Sequence, residues 1–152
     1  MISLTPHNSQ ADTMNADSIE YSETRDLPSE NVLALYRANK WASSQKADLL
    51  PKALAASHSL ITAWDGSRLV GLGNTLSDGL LVVYYSHLLV LPEYQGQGIG
   101  AEIMRRLMAR YEGFHQQLLL ADGRAVDFFR KFGFERAGKT QPMWIYAGHD
   151  NS

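Results

Sequence analysis

Gly96, Gly98 and Gly100 stand at alternate positions between an apolar run, residues 88–91, and a stretch whose apolar residues recur at helical spacing. This arrangement constrains the chain more than any other feature. The apolar run reads as a strand, and Pro92-Glu93-Tyr94-Gln95 as the turn leaving it. The glycines let backbone approach a ligand closely, and the first amides of a helix have no intrahelical acceptor. Such a strand–turn–helix junction predicts an anionic, phosphate-bearing ligand across the strand end and the helix N-terminus.

The pattern around this junction predicts one mixed α/β domain. A polar stretch at residues 1–17 reads as a flexible tail, and residues 18–148 as the folded domain. A first strand covers residues 19–24. Ser29 is placed to cap a helix carrying Val32, Leu35, Tyr36 and Asn39 on one face. Residues 40–44 break it, and a second helix starts near Asp48, with Pro51 in its first turn. Strands over 59–64 and 68–76 are joined by Asp65-Gly66, and Ser77-Asp78-Gly79 turns the chain into a long strand over 80–91.

After the glycines, Ile99, Ile103, Leu107 and Tyr111 recur every fourth residue, and Met104 and Met108 widen the stripe. A buried strand over 117–121, a short helix over 124–132 stopped by Gly133, and a final strand over 143–146 complete the chain. The order is β-α-α-β-β-β-α-β-α-β(-β), a mixed, mostly antiparallel sheet flanked by helices.

Composition removes several classes of function. The chain has 152 residues, a net charge of −2 and no cysteine. The charge balance gives no broad footprint for nucleic acid or an anionic membrane surface. The lack of cysteine excludes disulfides, thiolate metal ligands and a cysteine nucleophile, and it fits a cytoplasmic location. No apolar stretch is long enough for a membrane-spanning helix. No residue spacing suggests a metal site.

Three ligands compete for the glycine junction. A nucleoside-triphosphate loop requires Gly-Lys-Ser/Thr, and Gly100-Ala101-Glu102 lacks it. A dinucleotide is a remote alternative. Gly96-Gln97-Gly98-Ile99-Gly100-Ala101 has the Gly-x-Gly-x-x-Ala form and Asp122 follows at a fitting distance. Against it, residues 92–95 separate strand from glycines, and too little chain remains for further βα units.

The third ligand is acetyl-coenzyme A. The run from Val90 through Gly100 resembles the acetyl-CoA motif of the GNAT N-acetyltransferases, Arg/Gln-x-x-Gly-x-Gly/Ala, with Gln95, Gly98 and Gly100 at the signature positions. A second patch, Asp122, Ala125, Phe128, Phe129, Lys131, Gly133 and Phe134, is similar to that family's Asn-x-x-Ala-x-x-Phe-Tyr-x-Lys-x-Gly-Phe. Trp41 after the first helix, the Ser77-Asp78-Gly79 turn and Pro142-Met143-Trp144 look like a small-amine subgroup that includes serotonin N-acetyltransferase-like proteins.

The resemblance implies a role for each matching residue. Gln95, Gly96, Gln97, Gly98, Ile99, Gly100 and Ala101 would hold the pyrophosphate. Asp122, Phe128 and Phe129 would complete the cofactor site, with Phe128 packing into the core and Phe129 lying against the thioester end. The strand before the loop would splay from its neighbour, leaving backbone of Leu88, Leu89 and Val90 to pair with the pantetheine arm, and the Leu88 amide would face the thioester carbonyl. The implied reaction is direct acetyl transfer to a small primary amine, and a homodimer is compatible with the resemblance.

The amine must shed a proton, which calls for an acceptor. Tyr84 and Ser86 occupy the strand positions where the family often places a base, and neither is a carboxylate or histidine. His87 is the titrating candidate. Strand alternation turns it away from Tyr84, Ser86 and Leu88 unless a bulge re-aims it. The family's thiolate-protonating tyrosine corresponds to Phe129, which has no hydroxyl. Tyr84 or Tyr85 could substitute, or the thiolate could leave unaided, or the chain is a CoA-binding sensing module with little catalysis; Phe129→Tyr would raise turnover where protonation of the leaving group is limiting. Trp41 and Tyr85 are the candidate substrate-lining residues.

Overall fold

In the computed structural model, the described residues are Ile2 and residues 18–148; the predicted tail, Ile2 apart, lies outside them. A five-stranded sheet has its strands in chain order: β1 (Ile19–Ser22), β2 (Ser59–Asp65), β3 (Arg68–Ser77), β4 (Val82–Val90) and β5 (Gln116–Leu119). The first four pair antiparallel and β5 pairs parallel to β4. The parallel step needs a crossover, which the long helix α3 (Ile99–Ala109) supplies.

Helix α3 packs against β2, β3 and β4. It buries Ile99, Ile103, Met104 and Leu107, the predicted stripe, each worth about 1.5–3 kcal/mol by transfer from water. Close approach depends on β3. A Cβ at Gly73 would lie 2.8 Å from Ile103 Cγ2 and 2.9 Å from Leu107 Cδ1, so only glycine lets the helix sit this low. Helix α4 (Ala125–Arg130) joins this layer through Phe129, Phe134 and Tyr85. The opposite face carries α1 (Ser29–Ala38), which packs on β3 and β4, and α2 (Leu50–Ala55) beside it.

Three local expectations are corrected. Pro28, not Ser29, is the α1 N-cap, and no side chain caps that end. The second helix begins at Leu50 after a turn, although Pro51 does sit in its first turn as expected. The final strand over 143–146 does not form. Met143, Trp144, Ile145 and Tyr146 run exposed, and Trp144 stacks on Tyr146 at 4.4 Å. Strand propensity measures the fit to a pleated, half-buried surface, and no neighbouring strand among the described residues supplies one to these four. Asp78 is explained by its turn: its Oδ1 accepts from the amides of Leu80, Leu81 and Val82.

Candidate active site

The strand preceding the glycines carries a bulge. Asn74 of β3 faces His87, whereas Thr75 faces Tyr85, so Ser86 is an inserted residue. The insertion decides which side chains share a face. Tyr85 packs on Tyr111 and Phe134, on the α3 and α4 side. His87, two residues later, would point the same way in a regular strand. The bulge turns it to the other face, against Tyr36 and Trp41. Tyr84, next to Tyr85 and so on the opposite face from it, therefore shares the face of His87. Leu88 faces away from His87, as expected, and the bulge also separates it from Tyr84, with which regular alternation would have grouped it.

His87 is held closely there. The Tyr36 hydroxyl is 2.6 Å from its Nδ1. The Trp41 ring meets the imidazole edge-on at a centroid distance of 5.1 Å, and Tyr36 meets Trp41 at 5.6 Å. The His87 backbone amide donates to Asn74 Oδ1 at 2.9 Å, and Asn74 Nδ2 donates to Ser57 Oγ. Burial pushes the His87 pKa down to about 4, so the ring is neutral at physiological pH. Burial pushes the Tyr36 and Tyr84 hydroxyls up, so both stay protonated. Trp41 and His87 are thus brought together. Tyr36 carries no sequence signal as a site residue, because its position on the α1 stripe explains it fully as core.

The same bulge coincides with the opening of the sheet. Pairing of β4 with β5 ends at Tyr85 opposite Leu119. The Leu91 amide donates toward β3, to the Val70 carbonyl at 2.8 Å. Alternation therefore turns the amides of Leu88 and Val90 toward the edge that β5 has left. The Leu88, Leu89 and Val90 side chains are core, and Leu89, in phase with Leu91, turns its backbone to β3. Only Leu88 and Val90 offer backbone to the open edge, so the expected role of Leu89 in holding the pantetheine arm is corrected. The Val90 carbonyl is engaged, accepting from Gln95 Nε2 at 3.0 Å.

Gln95 is itself buried, with Nε2 also 3.5 Å from Asn39 Oδ1. Its side chain ties the glycine loop to the ends of β4 and α1 rather than reaching outward. Gly96 and Gly98 have φ of +76° and +86°, and a Cβ at either would meet no atom within 4 Å. Gly98 is the α3 N-cap, and its carbonyl accepts the first helical bond, from Glu102. The amides of Gly98, Ile99, Gly100 and Ala101 precede that bond and have no acceptor inside the helix. Gln97 Oε1 is buried without a partner. An open left-handed cradle and a run of amides without intrahelical acceptors fit a pyrophosphate; Gln97 Oε1, an acceptor, does not contribute to that fit.

Two aromatic assignments change. Phe129 is 1% exposed and packs between Phe128 and Phe134, so it is the core residue. Phe128 is half-buried and lies beside the loop, its Cζ 3.8 Å from where a Cβ of Gly100 would be. The reason is helical phase: Ala125 and Phe129, four apart, form the buried face of α4. Tyr85 is 1% exposed and donates to Gln117 Oε1, on the face away from Trp41; it does not line the same wall. Asp122 is exposed at the end of the β5 extension, where its carbonyl accepts from the Ala125 amide.

This architecture, a sheet that opens between β4 and β5 beside a glycine-lined helix start, defines an acyl-CoA-binding class of fold. A sequence model described as the acetyltransferase (GNAT) domain matches residues 21–143, and the chain belongs to that family. A GNAT-family acetyltransferase of Streptococcus pneumoniae superimposes with a TM-score of 0.73 at 32% identity, over 85% of this chain and 98% of that one. A chloroplastic GCN5-related N-acetyltransferase of Arabidopsis thaliana is 38% identical over 72 residues, 45% of this chain. A histone acetyltransferase of Glycine max is 38% identical over 87 residues, 54% of this chain. The matches cover 27% and 37% of those two plant proteins' own length. No helix among the described residues is long and apolar enough to cross a membrane.

Proposed function

We propose that the protein transfers the acetyl group of acetyl-CoA to a small primary amine. The observation that carries this reading is the opening of β4 from β5 at Ser86, directly before the glycine cradle at the start of α3. The cradle amides hold the pyrophosphate, and the open edge of β4 takes the pantetheine arm. The Leu88 amide donates to the thioester carbonyl, where a preorganised donor is worth roughly 3 kcal/mol in the transition state. Trp41 and His87, backed by the buried Tyr36, form an aromatic wall suited to an aryl-bearing or cationic amine.

In the reaction the amine lone pair forms the C–N bond, the C–S bond breaks, and the thiolate leaves with its electron pair. A ring with a pKa of about 4 cannot strip an alkylammonium of pKa about 10. The amine therefore enters as the free base, and His87 accepts one of its two N–H protons once C–N bond formation has acidified the nitrogen, the other staying on the amide product. The tautomer with Nδ1–H donating to Tyr36 leaves Nε2 as that acceptor. Tyr84, on the same face and protonated, supplies a hydroxyl to the departing thiolate.

The core position of Phe129 and the weak basicity of His87 favour one second reading, a CoA-binding module without efficient catalysis. The cysteine-free chain fits the cytoplasm and equally the chloroplast named for the Arabidopsis relative. Titration calorimetry with acetyl-CoA, with NADH as control, tests the ligand; absence of acetyl-CoA binding overturns the proposal. Thiol release with a panel of arylalkylamines, polyamines and a lysine-bearing peptide tests the reaction. Tight binding with no turnover on any acceptor selects the module.

A further inference from the structure

Ile2 pairs with the continuation of β5. Its amide donates to the Leu120 carbonyl at 3.0 Å, and its carbonyl accepts from the Asp122 amide at 3.3 Å, a parallel bridge centred on Ala121. The side of β5 it occupies follows from alternation. The Gln116 amide donates to Leu81 at the start of β4, so the backbone groups of Gln116 and of every second residue after it point toward β4. Leu120 and Asp122 are in that series. Ile2 therefore does not extend the outer edge of the sheet. It lies in the wedge between β5 and the departing half of β4, the edge toward which the Leu88 and Val90 amides turn.

Ile2 is 0% exposed and belongs to the hydrophobic core. Two surface hollows lie elsewhere, one beside Met108 and Phe134, the other beside Tyr21 and Arg106.

We propose that Ile2 is an intramolecular occupant of the pantetheine slot, and that acetyl-CoA must displace it to bind. The proposal rests on the acetyl-CoA reading above. The chemistry of the two occupants is alike: each offers an amide and a carbonyl to a strand edge and aliphatic carbon to the core. Competition of this kind divides the intrinsic affinity by the fraction of molecules with a free slot. It acts on the arm alone, because the glycine cradle lies outside the wedge.

The test is calorimetric titration of wild type, Ile2→Asp and Ile2→Val with acetyl-CoA and with 3′-phospho-ADP, which carries the pyrophosphate but no pantetheine. A buried carboxylate expels the residue, whereas valine keeps it seated. Ile2→Asp is expected to bind acetyl-CoA about tenfold tighter, as for a slot free in about one molecule in ten. Its affinity for 3′-phospho-ADP should be unchanged, and Ile2→Val should match wild type.

Equal acetyl-CoA affinity in wild type and Ile2→Asp overturns the inference and leaves the acetyl-CoA reading standing. An equal gain for both ligands also overturns it, because the effect then lies outside the wedge. Failure of every protein to bind acetyl-CoA removes both proposals. Hydrogen exchange of the wild-type Ile2 amide is the second measurement. Protection should be lost on saturation with acetyl-CoA, and protection retained there overturns the displacement.

Discussion

The Tyr36 hydroxyl and His87 Nδ1 lie 2.6 Å apart, joining α1 to β4 across 51 residues of sequence. The pair is both a packing device and a titration site. Because burial lowers the folded-state pKa of His87 to about 4, below its unfolded value near 6.5, the unfolded chain binds the proton more readily. Stability from this group is fully present above about pH 6.5 and declines as pH falls toward 4, by up to roughly 3 kcal/mol. Denaturant melts across that range should show a shallower decline for His87→Gln than for wild type. Parallel curves would mean that His87 is not buried in its neutral form.

The same low pKa shapes the rate. Neutral His87 does not change protonation between pH 6 and 9, and the amine must arrive as its free base. The rate kcat/KM should therefore climb with pH toward the acceptor's own pKa and move when an amine of different pKa is used. An inflection near 6.5 that is independent of the acceptor and vanishes in His87→Gln would contradict this account of proton transfer.

Gly98 separates backbone strain from ligand contact. Its φ of +86° penalises any side chain, yet a Cβ there meets no protein atom within 4 Å. Gly98→Ala should cost about 1 kcal/mol of stability and leave measurable acetyl-CoA binding. Gly98→Glu should carry a similar stability cost and abolish binding, because it sets a carboxylate against the pyrophosphate. Unchanged affinity in Gly98→Glu would remove the loop from the site.

Gly73 makes the opposite case. Its substitution meets Ile103 and Leu107 at under 3 Å, so Gly73→Val should lower stability by about 1–3 kcal/mol by lifting α3 from the sheet. Since α3 carries the cradle at its N-terminus, affinity for acetyl-CoA should weaken as well. A thermal midpoint equal to wild type would mean that the helix yields without cost.

The elements with strong periodicity are legible in the order of residues. The stripe from Ile99 to Tyr111 and the Asp65-Gly66 hairpin follow from local rules alone, and so does the glycine junction. What local rules leave hidden depends on register or partners. The direction of His87 turns on one inserted residue, Ser86, whose bulge leaves no mark in composition. The Tyr36–His87 contact joins residues that no local pattern links. The segment 143–146 has the residues of a strand, but a strand also needs an edge to pair with, and propensity does not report that. The exchange of roles between Phe128 and Phe129 is a matter of phase on a helix too short to show a period.

That exchange reverses an expectation from sequence. With Phe129 read as facing the thioester, Phe129→Tyr would restore a thiolate-protonating hydroxyl and raise turnover. The structure places Phe129 in the core, 1% exposed, with its ring against Phe128 and Phe134. A hydroxyl added there is buried among aromatic rings, at a cost of about 1–3 kcal/mol. Phe129→Tyr should therefore lower the thermal midpoint and leave kcat no higher than wild type. Tyr84→Phe, which removes a hydroxyl on the His87 face, should lower kcat with little change in the midpoint. A rise in kcat for Phe129→Tyr would place residue 129 at the departing thiol and displace Tyr84 from that role.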